Sequence, residues 1–485
     1  MKSIVRTGLL AIALLLIGAA ASPAASRLVI RGAGFGHGVG MSQYGAMGFA
    51  KQGRSHADIL GHYFTGTRLG RLGGAAGVRV LLKSSSQIAF SGASGVAGSR
   101  SLDPALTYNV TRGVGGVVVL RSASGRDLGT YQSPLTIGGA DGGLLLRGPA
   151  ENDVTDGRYR GNLEIRAGAL GGLSAINALD MEEYLRGVVP GEVPANWPDE
   201  ALRAQAVAAR TYAVATSKPG DGFDQYADVR SQVYKGIAVE RPTTDASVRA
   251  TRGEVVIYGG KPIVTYYFST SGGRTEDVEN SFLGAEPAPW LKSVEDPFDS
   301  ESPRHRWVVR MSLGQAKRRL GGLVRGGLRR IRVLRRGTSP RVVRAQIVGT
   351  GGRRSASGPQ LRSRLRLFDT WARFTVITAN VSRGDGSTPR EPASDGGTGG
   401  GGTRPRVALA FGAAHRPVLG TLSGRVASDR SGGRWVVVQR LAGRRWVAQF
   451  EAPVRADGFY SARVRAAGSY RIRYAGEAGP RVRVR

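Results

Sequence analysis

Apolar and polar positions along this chain follow distinct local rhythms, and each rhythm predicts a different element. Residues 28–31 form a short apolar run, as a strand does, leading into the glycine-rich stretch "GFGHGVGMSQYGAMGFAKQG" at 34–53. The second half of that stretch, residues 42–52, reads as a helix stopped by Gly53. Next, "SHADILGHYF" offers Ser55 as N-cap with Asp58 three residues on, while Ile59, Leu60, Tyr63 and Phe64 share one helical face. Residues 78–178 hold short β-prone runs, among them "VRVLL", "GVVVLR", "LEIR" and "LSAIN", separated by Gly, Ser and Asp. The strongest helix starts after Trp197-Pro198 and runs through "DEALRAQAVAARTYAVATS", with Asp199 and Glu200 at the positive end of its dipole. Strands return in "GEVVIYGGKPIVTYYFSTSGG" as a hairpin across Gly259-Gly260, and a mixed stretch occupies 307–378.

The stretch 384–403 has no apolar periodicity and is dominated by Gly, Pro, Ser and Thr, so it reads as a flexible linker. Beyond it, residues 404–485 alternate apolar and polar positions as a small β-sandwich does. At the other end, Lys2 and Arg6 precede an apolar run at 8–20 and small residues that allow cleavage after Ala21 or Ala24. That pattern predicts a signal peptide over 1–25 and a secreted, cell-wall location; an uncleaved membrane anchor is the alternative. The run is shorter than the ~20 residues that span a bilayer.

With 485 residues the chain is long enough for two or three cores. It contains no cysteine, which excludes thiolate chemistry, disulfides and cysteine-ligated metals. Lys and Arg number 69 against 36 acids, a formal charge of +33, and residues 404–485 alone carry +13. Such a charge suits an anionic partner. Only eight of the basic residues are lysines, however, and arginine with glycine and alanine is also what GC-rich coding produces. For a secreted chain the accessible polyanions are anionic wall polymers and membrane head groups, so no nucleic acid partner is expected.

Most familiar catalytic sets are missing. The five histidines, His37, His56, His62, His305 and His415, form no H-E-x-x-H motif, and there is no G-x-S-x-G. Carboxylates are left. Glu192 stands out because it lies between Val189-Pro190 and Val193-Pro194, with Trp197 close behind. Apolar surroundings disfavour the charged form of a carboxyl and raise its pKa, as a general acid for a glycosidic oxygen requires. A competing reading is that Glu192 only complements the dipole of the following helix or pairs with an arginine.

The stretch "YLRGVVPGEVPANWPDEALRAQAVAARTYA" closely resembles the signature of the stage II sporulation protein D and LytB-like domain family. Further likenesses are "SQVYKGIAVE" at 231–240, "YYFSTSGGRTEDVE" at 266–279, the opening "GFGHGVGMSQYGAMGFAKQGRSHADILGHYFTGT" and, more weakly, "SGPQLRSRLRLFDTWARF" at 357–374. The resemblance implies a peptidoglycan lytic transglycosylase acting on glycan strands stripped of their stem peptides, with Glu192 as the acid/base. One carboxylate suffices there, because the muramic acid 6-hydroxyl attacks internally and no enzymic nucleophile is needed. Arg210 is carried over from A-Q-A-V-A-A-R-T-Y as a group that binds sugar or orients Glu192, a structural ion pair being the other reading. His37, Ser42, Gln43 and Tyr44 are expected to line the glycan cleft beside bare glycine backbone, with Gln232, Tyr234, Ser271, Gly272 and Gly273 as further walls.

Two departures from the family pattern matter. The glycine loop precedes everything here, whereas in sporulation members it follows the stretch matching "LRSRLRLFDTWARFTV", so the chain reads as circularly permuted. Some relatives carry cysteine and histidine metal ligands before Q-V-Y, but "DQYADVRSQVY" has neither and Phe268 stands where many have histidine, so neither metal nor cofactor is expected. The expected fold is an α+β catalytic domain at 26–383 with a strand-rich insertion at 78–178, then the linker, then a small C-terminal all-β sandwich at 404–485. LytB-like members are associated with modifying a partner amidase, so a non-enzymatic activator of a cell-wall amidase, or a wall-binding scaffold, is the alternative function.

Overall fold

The computed structural model describes residues 25–74, 76–168, 171–217, 222–383, 418–428 and 435–485. Residues 1–24 of the expected signal peptide, the linker at 384–403, and residues 404–417 and 429–434 of the C-terminal part lie outside them. Strand Ala25–Ala33 lies antiparallel between Arg306–Met311 and Ala372–Arg383. Its apolar run is continuous because both faces are covered. Leu28 and Ile30 pack with Trp307, Leu361 and Phe374. Val29, pointing the other way, joins Ile377, Leu422 and Ile472.

Helix α1 (Gln43–Lys51) follows the glycine loop and is capped by Ser42, whose hydroxyl accepts the Gly45 N–H. Helix α2 (His56–Tyr63) carries the expected Ser55/Asp58 capping box. The strand-rich part forms two six-stranded antiparallel sheets over one apolar core, and Gln225–Tyr226 adds a parallel seventh strand to the edge of one of them.

Helix α3 (Met181–Glu192) is an element that the residue pattern conceals, because Gly187, Pro190 and Gly191 read as breakers. The Asp180 carboxylate caps it by accepting the Glu182 N–H, and Tyr184, Leu185, Val188 and Val189 bury one face. Helix α4 (Asp199–Ala215) places its alanine-rich surface inside the protein, with Pro198 as N-cap residue. Next come α5 (Pro242–Ala250) and the hairpin of Glu254–Tyr258 with Lys261–Pro262, Tyr258 facing Lys261. Short helix α6 (Val278–Ser281), α7 (Leu313–Leu320) and α8 (Gly358–Leu365) surround the sheet Leu328–Arg336, Val342–Gly349, Gly352–Ser357.

The C-terminal strands expected to form a β-sandwich at 404–485 share a sheet and a core with the preceding part of the chain. Strand Gly420–Ser428 pairs with Ala372–Arg383, and Phe459–Val464 continues the same sheet. The facing sheet contains Arg445–Pro453, Trp435–Ala442 and Gly468–Tyr474. Between the sheets Val29, Ile377 and Ala379 share one core with Leu422, Val438, Tyr460 and Ile472. Glu477, nearly buried, pairs with Arg31 and Arg310. Long-range pairing across the linker is invisible to local alternation, which explains the difference. Strands Ala25–Ala33 and Ala372–Arg383, which a permutation would join, are neighbours: Leu28 faces Val376 and Ala25 faces Ala379.

The glycine loop is packed against protein. Gly34, Gly36, Gly38 and Gly40 all have positive φ. A Cβ on Gly38 would lie 2.3 Å from Arg341 Nε, and one on Gly40 2.2 Å from the Tyr266 carbonyl. Gly38→Ala adds backbone strain of ~1–2 kcal/mol to a displaced, buried arginine. It is expected to lower stability by at least that amount in a denaturant titration.

Candidate functional site

Glu192 ends α3 with its carboxyl partly exposed and held from several sides. Oε1 accepts the Val233 N–H (3.0 Å), and the Tyr267 hydroxyl and Gln43 amide also donate toward the group. Burial outweighs these donors and raises its pKa above the ordinary carboxylate value. Among the described residues no arginine or lysine pairs with it, and it terminates α3 instead of opening α4, so neither competing role for Glu192 holds.

A hydrogen-bonded chain fixes the donor. The Tyr184 hydroxyl donates to Gln232 Oε1 (3.0 Å), and Gln232 Nε2 donates to the Tyr267 hydroxyl (2.8 Å). With its oxygen accepting from Gln232, Tyr267 has its own proton available for Glu192. Tyr184 and Tyr267 are raised well above the ordinary phenol value, first by burial and then by the Glu192 charge; Tyr212 is also raised, with burial the main cause. Gln43 Nε2 ties α1 to the Glu192 carbonyl (3.3 Å) and to Gln205 (3.4 Å). Tyr44, its neighbour, meets Trp197 edge to face at 5.0 Å.

His37 is tied to this network through the Tyr267 backbone. Its Nδ1 accepts the Val39 N–H (3.1 Å) and its Nε2 lies 3.1 Å from the Tyr267 carbonyl, which fits the neutral Nε2–H tautomer. Burial, with Arg362 beside it, pulls the imidazole down to about 3.

Of the residues expected at the site, Glu192, Gln43 and Gln232 come together, Tyr44 packs on Trp197, Ser42 caps the helix that carries Gln43, and His37 meets the Tyr267 carbonyl. Arg210 does not join them. It is fully buried and bidentate to Glu182 (2.9 and 2.6 Å), and it also donates to the Glu254 and Val248 carbonyls. Its role as a sugar ligand is therefore corrected to a structural one. Tyr234 is also turned away, with its hydroxyl donating to Asn177 Oδ1 and its ring against Tyr159 and Tyr184. Ser271 and Gly272 are buried at a joint where Asp299 Oδ2 accepts the Ser271 hydroxyl and the Gly272 N–H. Arg341 donates there to the Ser271 carbonyl, and Gly273 donates to Ser271 Oγ. Ser271 and Gly272 are thus enclosed by protein, whereas Gly273 is part-exposed with open space beside its Cα.

Sequence reading missed Tyr184, Tyr212 and Tyr267. Gln205, Ala209 and Tyr212 share one stripe of α4, so helical spacing is the signal that marks Tyr212; Tyr184, Val188 and Glu192 share one stripe of α3, a helix the residue pattern conceals. Tyr267 carried no such signal.

Beneath α1, Asp296 is buried beside Asp299, Tyr63 and Gly45, and burial, then the Asp299 charge, raises its pKa from 3.8 to about 6. The folded state thus holds a proton that the unfolded chain releases between pH 3.8 and about 6. Stability falls as pH rises through that window, and above it the penalty is full. Asp296→Asn is expected to flatten this slope and add about 2–3 kcal/mol at neutral pH, read from melting temperature against pH.

Residues 169–258, which contain Glu192, Gln205 and Gln232, match the family model described as SpoIID, stage II sporulation protein. An uncharacterised protein of Brachyspira hyodysenteriae is 42% identical over 118 residues, 23% of this chain and 31% of the relative. Stage II sporulation protein D of Bacillus subtilis is 34% identical over 166 residues, 30% of this chain and 47% of the relative. The amidase enhancer of the same bacterium is 37% identical over 131 residues, 27% of this chain and 17% of the relative. The chain thus spans less than half the length of these curated relatives.

Proposed function

We propose that this chain, a member of the stage II sporulation protein D/LytB family, is a secreted lytic transglycosylase that cleaves peptide-stripped peptidoglycan glycan. Glu192 carries the reading: a half-buried carboxyl, raised above its usual pKa and free of any cationic partner among the described residues, is suited to start a reaction protonated. With the Val233 N–H on Oε1, the acid proton sits on Oε2 and passes to the glycosidic oxygen as the C1–O bond breaks. The resulting carboxylate is stabilised by the Val233, Tyr267 and Gln43 donors. It then takes the proton of the muramoyl 6-hydroxyl, whose oxygen closes on C1 to leave a 1,6-anhydro end. No second carboxylate is required.

The pairing of the two strands that relatives would join supports a circular permutation of the catalytic domain, and the basic C-terminal strands suit attachment to anionic wall polymer. The similarity to an amidase enhancer favours activation of a cell-wall amidase as the second reading. Purified chain incubated with peptide-free glycan is expected to generate 1,6-anhydro ends without any amidase present. Amidase stimulation with no such ends would favour the second reading.

A further inference from the structure

We propose that the cavity between α6 and α8, lined in part by His37, binds the carboxylate of a sugar acid through Arg362 and Arg366. The cavity measures about 430 Å³ and is lined by His37, Phe282, Arg362, Arg366, Leu367 and Thr370, among others. That volume is in the ~300–1,000 Å³ range of small-molecule sites.

Charge is what marks the cavity. The Arg362 guanidinium is half-buried, and among the described residues it makes no hydrogen bond or ion pair. The Asp369 carboxylate, whose charge Arg362 feels, is filled by two bonds from Arg341 (3.0 and 3.0 Å) and one from the Trp371 N–H (2.8 Å). Burial makes the positive form of Arg362 less favourable, Asp369 supports it from a distance, and Arg341 opposes it. A half-buried cation without a partner is costly, and an incoming anion would supply the missing bonds. Arg366 adds a second guanidinium from the left-handed residue that caps α8.

The remaining lining selects among anions. Phe282 and Leu367 offer an apolar side, whereas Thr370, Ser281 and Ser363 offer hydroxyl-bearing residues. A bare inorganic anion uses only the arginines; a hexose ring bearing a carboxylate uses all three kinds of surface. His37 connects the cavity to the Glu192 network, because its Nε2 meets the Tyr267 carbonyl while the Tyr267 hydroxyl faces Glu192. The choice of sugar acid rests on the glycan reading above, since a glycan stripped of peptide carries a free lactyl carboxylate on each muramic acid. The cavity and its unpaired arginine do not depend on that reading.

Calorimetric titration of the full chain with N-acetylmuramic acid, N-acetylglucosamine and sodium phosphate tests the site. N-acetylmuramic acid is expected to bind at least about 10-fold more tightly than N-acetylglucosamine, which lacks the lactyl carboxylate, and more tightly than phosphate. Arg362→Gln should weaken it about 10–100-fold, Arg362→Lys less, and Glu192→Gln little. Equal binding of the two sugars, phosphate binding as tightly as the sugar acid, or an unchanged affinity in both Arg362→Gln and Arg366→Gln would overturn the proposal. Loss of binding in Glu192→Gln with retention in Arg362→Gln would also overturn it, because the sugar acid would then occupy the Glu192 cleft. If Glu192→Gln cleaves glycan normally, the transglycosylase reading fails while these titrations still decide the cavity.

Discussion

Glu192→Gln is expected to lower cleavage of peptide-free glycan by about 10²–10⁴-fold with the fold intact. The substitution keeps the side chain's shape and an oxygen for the Val233 N–H, but removes the transferable proton. Because a neutral amide replaces a carboxyl whose charge is disfavoured by burial, the variant should melt no lower than the parent near neutral pH. The parent's activity should fall as pH rises through the elevated Glu192 pKa, since the working acid is the protonated form. Tyr267→Phe removes a donor to the carboxylate and should move that alkaline limb to still higher pH. A pH–rate profile of parent and Tyr267→Phe checks the direction. A limb that does not move would place the titration elsewhere.

The second large effect is on stability. Arg210→Met is expected to destabilise the protein by about 3–5 kcal/mol, because it leaves the Glu182 carboxylate without its bidentate partner. It also leaves the Glu254 and Val248 carbonyls without their donor. Arg210 ties α4 to α3, to α5 and to the hairpin strand Glu254–Tyr258 at one point. The double substitution with Glu182→Leu should recover part of the loss, since an apolar pair strands no charge. Denaturant titrations measure both. In the folded fraction of the single variant, KM for glycan should match the parent, as a structural role requires; a raised KM with unchanged stability would restore Arg210 to the substrate side.

These two residues also mark how far the amino-acid sequence could be read. The desolvated setting of Glu192 is legible because its apolar flanks are local. The α4 helix, the Ser55/Asp58 capping box and the Gly259-Gly260 hairpin were legible for the same reason: their signals lie within a few residues. Arg210 sits in the same signature stretch, but its burial against Glu182 depends on how α3 packs on α4, which no local pattern states. The α3 helix itself is hidden by Gly187 and Pro190, although Gly187 leaves room for the Tyr234 ring, which an added Cβ would meet at 2.5 Å. The glycine loop suggests bare backbone open to sugar; its positive φ values instead admit Arg341, Phe268 and the Tyr266 carbonyl. The C-terminal strands looked self-sufficient because alternation reports which face is buried, not which strand covers it. Their sheet borrows Ala372–Arg383, so deleting residues 418–485 would expose Ile377 and Val29.

The central claim is that Glu192 opens the glycosidic bond without admitting water to the product. Cleavage of peptide-free glycan in oxygen-18 water, with the new ends read by mass spectrometry, tests this directly. The account predicts 1,6-anhydro-muramoyl ends carrying no heavy oxygen, absent from the Glu192→Gln reaction. Reducing ends labelled with oxygen-18 would contradict it, since water would then be the nucleophile.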